Sequence, residues 1–304
     1  MIGTSFYKGQ GFGNQLWVYA AVRAAALRQN CDFAIFNSHL FKGKDFLNLD
    51  FGISRHIKRK VPSEIVPKGF QRVYRENILL HPINNSDISP FDQNIYAPII
   101  NTFLEGPMQC EDYLIDAKEK ILDWLHVPDQ TFEGCVINLR GGEFKTTQPH
   151  FLDISYYLNA MDRIKEIDPS CEFLVVTDDV KLAKKYFPKL EIQSSGGVRI
   201  VARKYYFSPK SYLIGKDFAK IQNAKYLILS NSSFSWWGAW TNRKANYVIA
   251  PKYWARHNVS DGYWSQGDSL TRDWVWLDRE GNFNSYDQCA QELTKYRELK
   301  EGQN

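Results

Sequence analysis

Nowhere in its 304 residues does this chain hold the ~20 consecutive apolar residues that a membrane-crossing helix needs. Any membrane contact is expected to be peripheral. An apolar signal core is missing as well, because Lys8, Gln10 and Asn14 interrupt the first segment before one forms. The expected compartment is the cytoplasm, with contact at the inner face of a membrane left open. Charge of one sign is scarce, since 38 Lys and Arg against 34 Asp and Glu leave a formal net charge of +4. That argues against a dedicated nucleic-acid binder and suits an enzyme that meets anionic nucleotides in a local pocket. Cysteine is sparse: Cys31, Cys110, Cys135, Cys171 and Cys289 are scattered, odd in number and form no C-x-x-C pair. Reduced thiols are expected, with neither a zinc site nor a disulfide framework. Internal repeats and low-complexity tracts are lacking too.

What the chain does have is core-forming material, with 44% hydrophobic and 15% aromatic residues. Its length suffices for two ordinary domains or one large α/β domain. Residues 2–7 read as a short strand, 9–15 as a Gly-rich turn and 16–28 as an Ala-rich helix, which together make an opening βα unit. Residues 30–100 give little beyond a short strand at 33–36. A strand at 101–106 and a helix at 111–125 follow, stopped by Val127-Pro128-Asp129. From Gly134 the pattern becomes regular, with strands at 136–139, 173–177, 226–229 and 247–250 and helices at 155–167, 180–186 and 215–223. A polar helix follows Asp287. Such alternation predicts a parallel sheet with helices on both faces, and a division into residues 1–130 and 131–304. In sheets of that kind, ligands bind outside the C-terminal strand ends.

Three polar clusters fall at those ends. Asn138-Leu139-Arg140-Gly141-Gly142-Glu143 places a guanidinium fork, suited to a phosphate, before two glycines that admit a ligand to the backbone. The competing role for Arg140 is an ion pair with Glu143 or Asp179. Thr177-Asp178-Asp179 offers carboxylates to a ribose diol or a guanine edge, while Asp179 also suits the N-cap of the next helix. Asn231, Ser232, Ser233, Phe234 and Ser235 bring hydroxyls and backbone N–H groups to a helix start, where a phosphate is favoured. Ordinary capping is the alternative there. Trp236, Trp237 and Trp240 cannot all face one ligand, and Trp237 and Trp240 are assigned to the core. The loop after the last of these strands carries Tyr253, Trp254, Tyr263 and Trp264, candidates for acceptor contacts. Residues 9–15 are no P-loop, as no Gly-Lys-Ser/Thr follows.

Gly11-Phe12-Gly13-Asn14-Gln15, Phe103-Leu104-Glu105-Gly106, Arg140 to Glu143, Thr177-Asp178-Asp179, the Asn-Ser-Ser-Phe-Ser-Trp-Trp-Gly-Ala-Trp string from Asn231 and Val248-Ile249-Ala250-Pro251-Lys252-Tyr253-Trp254 occur in that order. In this combination the chain resembles the bacterial α-1,2-fucosyltransferases of glycosyltransferase family 11, over roughly residues 9–277. The resemblance implies a GT-B-like fold of two Rossmann-like domains, residues 1–130 on the acceptor side and 131–304 binding the donor. It implies GDP-fucose as donor, inversion at the anomeric carbon, transfer to O-2 of a terminal galactoside in a glycan that is free or lipid-linked, and no metal or cofactor. Arg140 corresponds to the first arginine of a His-x-Arg-Arg-Gly-Asp motif, which holds the donor pyrophosphate. Gly13, Asn14 and Gln15 would face the same cleft as the 232–235 turn.

The chain departs from that motif at Asn138, Gly141 and Glu143. These changes leave room for another nucleotide deoxysugar such as GDP-colitose, or for a non-catalytic glycan or nucleotide binder. Glu143 is the nearest carboxylate for the role of general base, with His150 a weaker alternative.

Overall fold

Two units divide the chain, residues 1–126 with 265–269 and residues 127–264 with 270–304. The computed structural model describes residues 1–53, 66–80, 87–88, 90–129, 131–146, 150–187, 199–202, 211–265 and 269–301.

The first unit contains β1 (Ile2–Ser5), β2 (Phe33–Phe36), β3 (Arg72–Arg75), β4 (Leu79–Leu80), β5 (Asp87–Ile88) and β6 (Thr102–Glu105). Four of them form a parallel sheet in the order β2-β1-β6-β3, and β4 pairs with β5 antiparallel. Its helices are α1 (Phe12–Arg28), α2 (Gln93–Tyr96) and α3 (Lys118–Trp124). Helix α1 buries most of its length, which its alanines permit by letting neighbouring backbone approach closely.

Two expectations change here. Helix α1 begins at Phe12, because Gly11 takes the extended N-cap conformation and its carbonyl accepts Gln15 N–H at 3.0 Å. Gly13, Asn14 and Gln15 therefore stand in a helical turn, not in a loop. The single helix expected at 111–125 is instead two 3₁₀ turns, Glu111–Tyr113 and Ile115–Ala117, followed by α3. The cause is remote in sequence. The Arg28 guanidinium donates to the Tyr113 carbonyl, the acceptor an α-helix would offer to Ala117, and Ala117 N–H donates to Leu114 at 3.0 Å instead.

The second unit contains β7 (Phe132–Leu139), α4 (Ile154–Ile167), β8 (Phe173–Thr177), α5 (Val180–Tyr186), β9 (Arg199–Ala202), α6 (Ser211–Gln222), β10 (Ala224–Ile228), α7 (Ser233–Trp240), β11 (Tyr247–Pro251), β12 (Val275–Leu277), β13 (Phe283–Asn284) and α8 (Tyr286–Glu301). The sheet order is β13-β12-β11-β10-β7-β8-β9, parallel except for β13. Continuous burial of 134–139 and 173–177 is what a parallel strand covered on both faces requires. The strand at 247–251 is not the last, as β12 and β13 extend the edge beyond it.

Among the described residues no helix is long and apolar enough to cross a membrane. All five cysteines are free.

Candidate active site

The second sheet grows outward from β7, first to β8 and β9 on one side, then to β10, β11 and β12 on the other. Its order therefore reverses between β7 and β10. In doubly wound sheets that switch point opens a crevice at the carboxyl ends, where nucleotides bind. The three polar clusters stand at the ends of β7, β8 and β10, which are adjacent strands.

At the end of β7, Arg140 Nη1 lies 2.6 Å from Asp178 Oδ2, and the guanidinium stands 5.3 Å from the Phe144 ring centre. Asp178 is thus a partner that the sequence reading did not name, and an Arg140 pair with Glu143 would fall on a side chain outside the described residues. One third of the Arg140 side chain stays exposed, at 33%. Asp178 Oδ1 also accepts Gly141 N–H at 2.8 Å, so one carboxylate fixes both the cation and the loop behind it. Gly142 has φ +43° and opens the 3₁₀ turn Gly142–Thr146. Glu143 belongs to that turn, but its side chain lies outside the described residues.

At the end of β8, Thr177 Oγ1 accepts Asp179 N–H at 2.9 Å, and Asp179 Oδ1 accepts Leu182 N–H at 3.0 Å, making Asp179 the N-cap of α5. Its other oxygen pairs with Lys145. Burial alone would raise the Asp179 carboxyl, but the Lys145 ammonium and the Leu182 amide outweigh it and hold the group below its ordinary value. A Cβ added to Gly141 would stand 2.4 Å from Asp179 Cβ. Gly141→Ala is accordingly expected to push Asp179 off its cap and to cost about 1–3 kcal/mol. A denaturant midpoint equal to wild type would contradict this packing.

At the end of β10, Ser230 Oγ donates to Asn138 Oδ1 across the switch point. Asn138, counted with its cluster as a donor-binding candidate, also reaches the Val176 carbonyl at 3.5 Å, so its amide ties β7 to its neighbours. The Ser235 hydroxyl is fully buried and donates to the Ser230 and Ser232 carbonyls, both at 3.0 Å. It closes the turn. Among the described residues no side chain caps α7 at Ser232, and the first-turn amides of a helix lack intrahelical acceptors. Ser233 and Phe234 are half-buried there, and Ser232 is 8% exposed. Asn231 Nδ2 donates to the His150 carbonyl at 2.8 Å and to the Trp254 carbonyl at 3.5 Å, while its buried Oδ1 has no partner among the described residues.

Of the aromatic residues proposed for acceptor contact, Tyr253, Trp254 and Trp264 are packed inside the unit, and Tyr263 is half-buried against the Tyr296 ring at 4.6 Å. Tyr253 donates to Glu292, Trp264 packs edge-on against Tyr253 and Trp276 at 5.7 and 4.8 Å, and Trp254 is buried. Tyr253 and Trp254 hold φ of +64° and +51°, a strained turn stabilised by Lys252 Nζ and Tyr253 Oη on the carboxylate of α8 residue Glu292. That turn supplies the Trp254 carbonyl beneath Asn231, and its aromatic rings present no open platform. Trp236, Trp237 and Trp240 are all core. His150 is half-buried, and burial together with the Arg256 charge lowers its pKa, keeping the ring neutral.

In the first unit, Asn14 Oδ1 accepts Gln109 Nε2 at 3.2 Å at the ends of β1 and β6. Gln15 is buried with both amide ends in use, donating to Leu40 O and accepting Lys42 N–H, each at 2.9 Å. Its role is to hold the 40–42 segment. Gly13 is buried within α1.

Sequence reasoning missed Glu76, which follows β3 and accepts Met108 N–H at 2.7 Å and the Tyr113 hydroxyl at 3.3 Å. Burial, with a smaller contribution from Asp92, raises its carboxyl to about 7 from 4.5. A raised carboxyl stabilises the fold fully below the unfolded value and loses that contribution as pH climbs through about 7. Glu76→Gln keeps the acceptor without the charge. Wild type is expected to lose on the order of 2–3 kcal/mol between pH 5 and pH 8 that the variant keeps; parallel unfolding curves for the two proteins across that range would contradict it. Among the described residues, no group of three or more His, Cys, Asp or Glu could hold a metal ion.

The sequence profile described as Glycosyl transferase family 11 matches residues 90–278, more than half of the chain and inclusive of all three clusters. An α-1,2-colitosyltransferase of Escherichia coli is 26% identical over 301 residues, covering 88% of this chain and 97% of that protein. The O-antigen biosynthesis glycosyltransferase WbnK of Escherichia coli is 29% identical over 137 residues, 40% of this chain and 39% of its own. Among solved structures, the fucosyltransferase NodZ from Bradyrhizobium aligns with a TM-score of 0.43 and 12% identity, over 82% of this chain and 94% of that one.

Proposed function

The chain belongs to glycosyl transferase family 11, and from that premise we propose that it moves a deoxysugar from a GDP-linked donor to a hydroxyl of a glycan, with inversion. The carrying observation is that Arg140, one third exposed, follows β7 and helix α7 follows β10, the adjacent strands at which the sheet order reverses. A diphosphate seated there would meet a guanidinium fork and the positive end of a helix. The acceptor oxygen attacks the anomeric carbon as the bond to the β-phosphate oxygen breaks. GDP leaves with one added negative charge, which Arg140 and the α7 amides offset by preorganised electrostatics. The acceptor proton passes to a carboxylate, for which Glu143 is the candidate. Asp178 and Asp179 are assigned to the nucleotide's hydroxyl or amine donors.

Fucose delivered to O-2 of a terminal galactoside is the first reading. A second has its own support, since the α-1,2-colitosyltransferase matches over nearly its whole length. Incubation with GDP-fucose or GDP-colitose, with and without lactose and in EDTA, separates them by which sugar appears on the galactoside in the NMR spectrum. GDP bound tightly with neither sugar transferred would favour a non-catalytic binder, and transfer that needs added Mg²⁺ or Mn²⁺ would overturn the assignment of charge to Arg140 and α7.

A further inference from the structure

The diphosphate of a sugar donor carries more negative charge than one guanidinium offsets, and it gains more as the glycosidic bond breaks. A second cation stands close by in sequence and structure. Lys145 projects from the same 3₁₀ turn that follows Arg140, and its side chain is 45% exposed. The turn is held in place independently of either cation's head group, by Phe144 N–H on the Gly141 carbonyl at 2.8 Å and by the left-handed Gly142.

Both cations are paired in the same way. Arg140 meets Asp178 Oδ2 and Lys145 meets Asp179 Oδ2, so two neighbouring cations of one loop face two consecutive carboxylates of the next. The other oxygen of each carboxylate is tied to a backbone amide, Asp178 Oδ1 to Gly141 and Asp179 Oδ1 to Leu182. If Lys145 swings away, Asp179 keeps its α5 cap and its place. A partly exposed ion pair of this type contributes little stability, so giving it up opposes ligand binding only weakly. Lysine, as a compact charge on a flexible four-carbon stem, suits such an exchange.

We infer that Lys145 is the second pyrophosphate-binding cation of this site, parked on Asp179 while the site is empty and transferred to the terminal phosphate of the nucleoside diphosphate when it arrives. This inference rests on the donor-site reading above. Its distinguishing consequence is a dependence on the second phosphate. Lys145→Met is expected to weaken GDP binding about tenfold in calorimetric titration while leaving GMP within twofold of wild type, and Lys145→Arg is expected to restore most of the GDP affinity. The titrations are read beside a thermal melt, because a partly exposed side chain should leave the melting midpoint near that of wild type. Equal losses for GDP and GMP would overturn the inference by showing that Lys145 only shapes the loop. GDP affinity within twofold of wild type would also overturn it, while leaving the donor site standing. Failure of wild type itself to bind GDP would overturn the donor-site reading and this inference with it.

Discussion

Arg140→Ala is expected to lower the rate of sugar transfer about 100- to 1,000-fold, the ~2.7–4 kcal/mol typical of losing a preorganised contact to charge that develops in the transition state. Two features set that size. The guanidinium stands beside the switch point of the sheet, and its position is fixed by the 2.6 Å pair with Asp178 and the Phe144 ring, so little reorganisation accompanies the reaction. The same pair is also what a purely structural arginine would show. Arg140→Lys divides the two roles, because lysine keeps a charge for Asp178 but cannot grip a phosphate with two parallel N–H groups. A catalytic contact predicts a folded Arg140→Lys protein with a rate well below wild type, and a structural pair predicts near-normal transfer. Initial rates of GDP release, in proteins shown by circular dichroism to be folded, measure this. Activity of Arg140→Ala within threefold of wild type would remove the residue from the mechanism.

Trp236→Ala is expected to cost about 3–5 kcal/mol of stability. Its indole is 1% exposed, stacks on Trp240 at 5.5 Å, meets Trp237 edge-on at 5.0 Å and donates its N–H to Thr271 Oγ1 at 2.8 Å. Truncation leaves a cavity beneath α7 and removes the bond that fixes the helix in rotation. Because the first turn of α7 forms one wall of the candidate donor site, GDP affinity should fall in the same variant while the protein is still folded. Denaturant unfolding monitored by far-UV circular dichroism gives the stability; a loss below 1 kcal/mol would show that the tryptophans are not one packed unit.

These effects bear on how far the sequence could be read. The buried runs of β8 and the cap at Asp179 were legible because both are local, and residues 173–177 and 180–186 were expected with the bounds observed. The α/β class followed from the same alternation, and two units built on parallel sheets are what a GT-B-like chain contains. Strand order was not legible, as it depends on pairings such as Ile228 with Ile137 that no local pattern encodes. Strand β3 escaped notice because its half-exposed Arg-Val-Tyr-Arg has no apolar run, and β12 because three residues in an aromatic stretch make no periodicity. The break in the expected 111–125 helix comes from Arg28, 85 residues from the Tyr113 carbonyl it occupies.

At the candidate site, residue type was legible and direction was not. Ser235 and Asn138 carry suitable polar groups, yet one is spent on its own turn and the other on the neighbouring strands. Tyr253 and Trp264 lie in a loop-rich region where aromatics often meet ligands, but Glu292 and Trp276 take them into the core. Lys145 gave no signal at all, because a lysine in a short polar turn is distinguished only by the carboxylate it meets in space.

In the proposed mechanism the ends of β7, β8 and β10 together hold the diphosphate of the donor. Amide hydrogen exchange with and without saturating GDP tests it most directly, since exchange reports each segment separately. Protection is expected in the peptides that cover residues 140–146, 178–182 and 231–236, with the rest of the second sheet unchanged. GDP that binds but protects other segments, and leaves these three as they were, would contradict the claim.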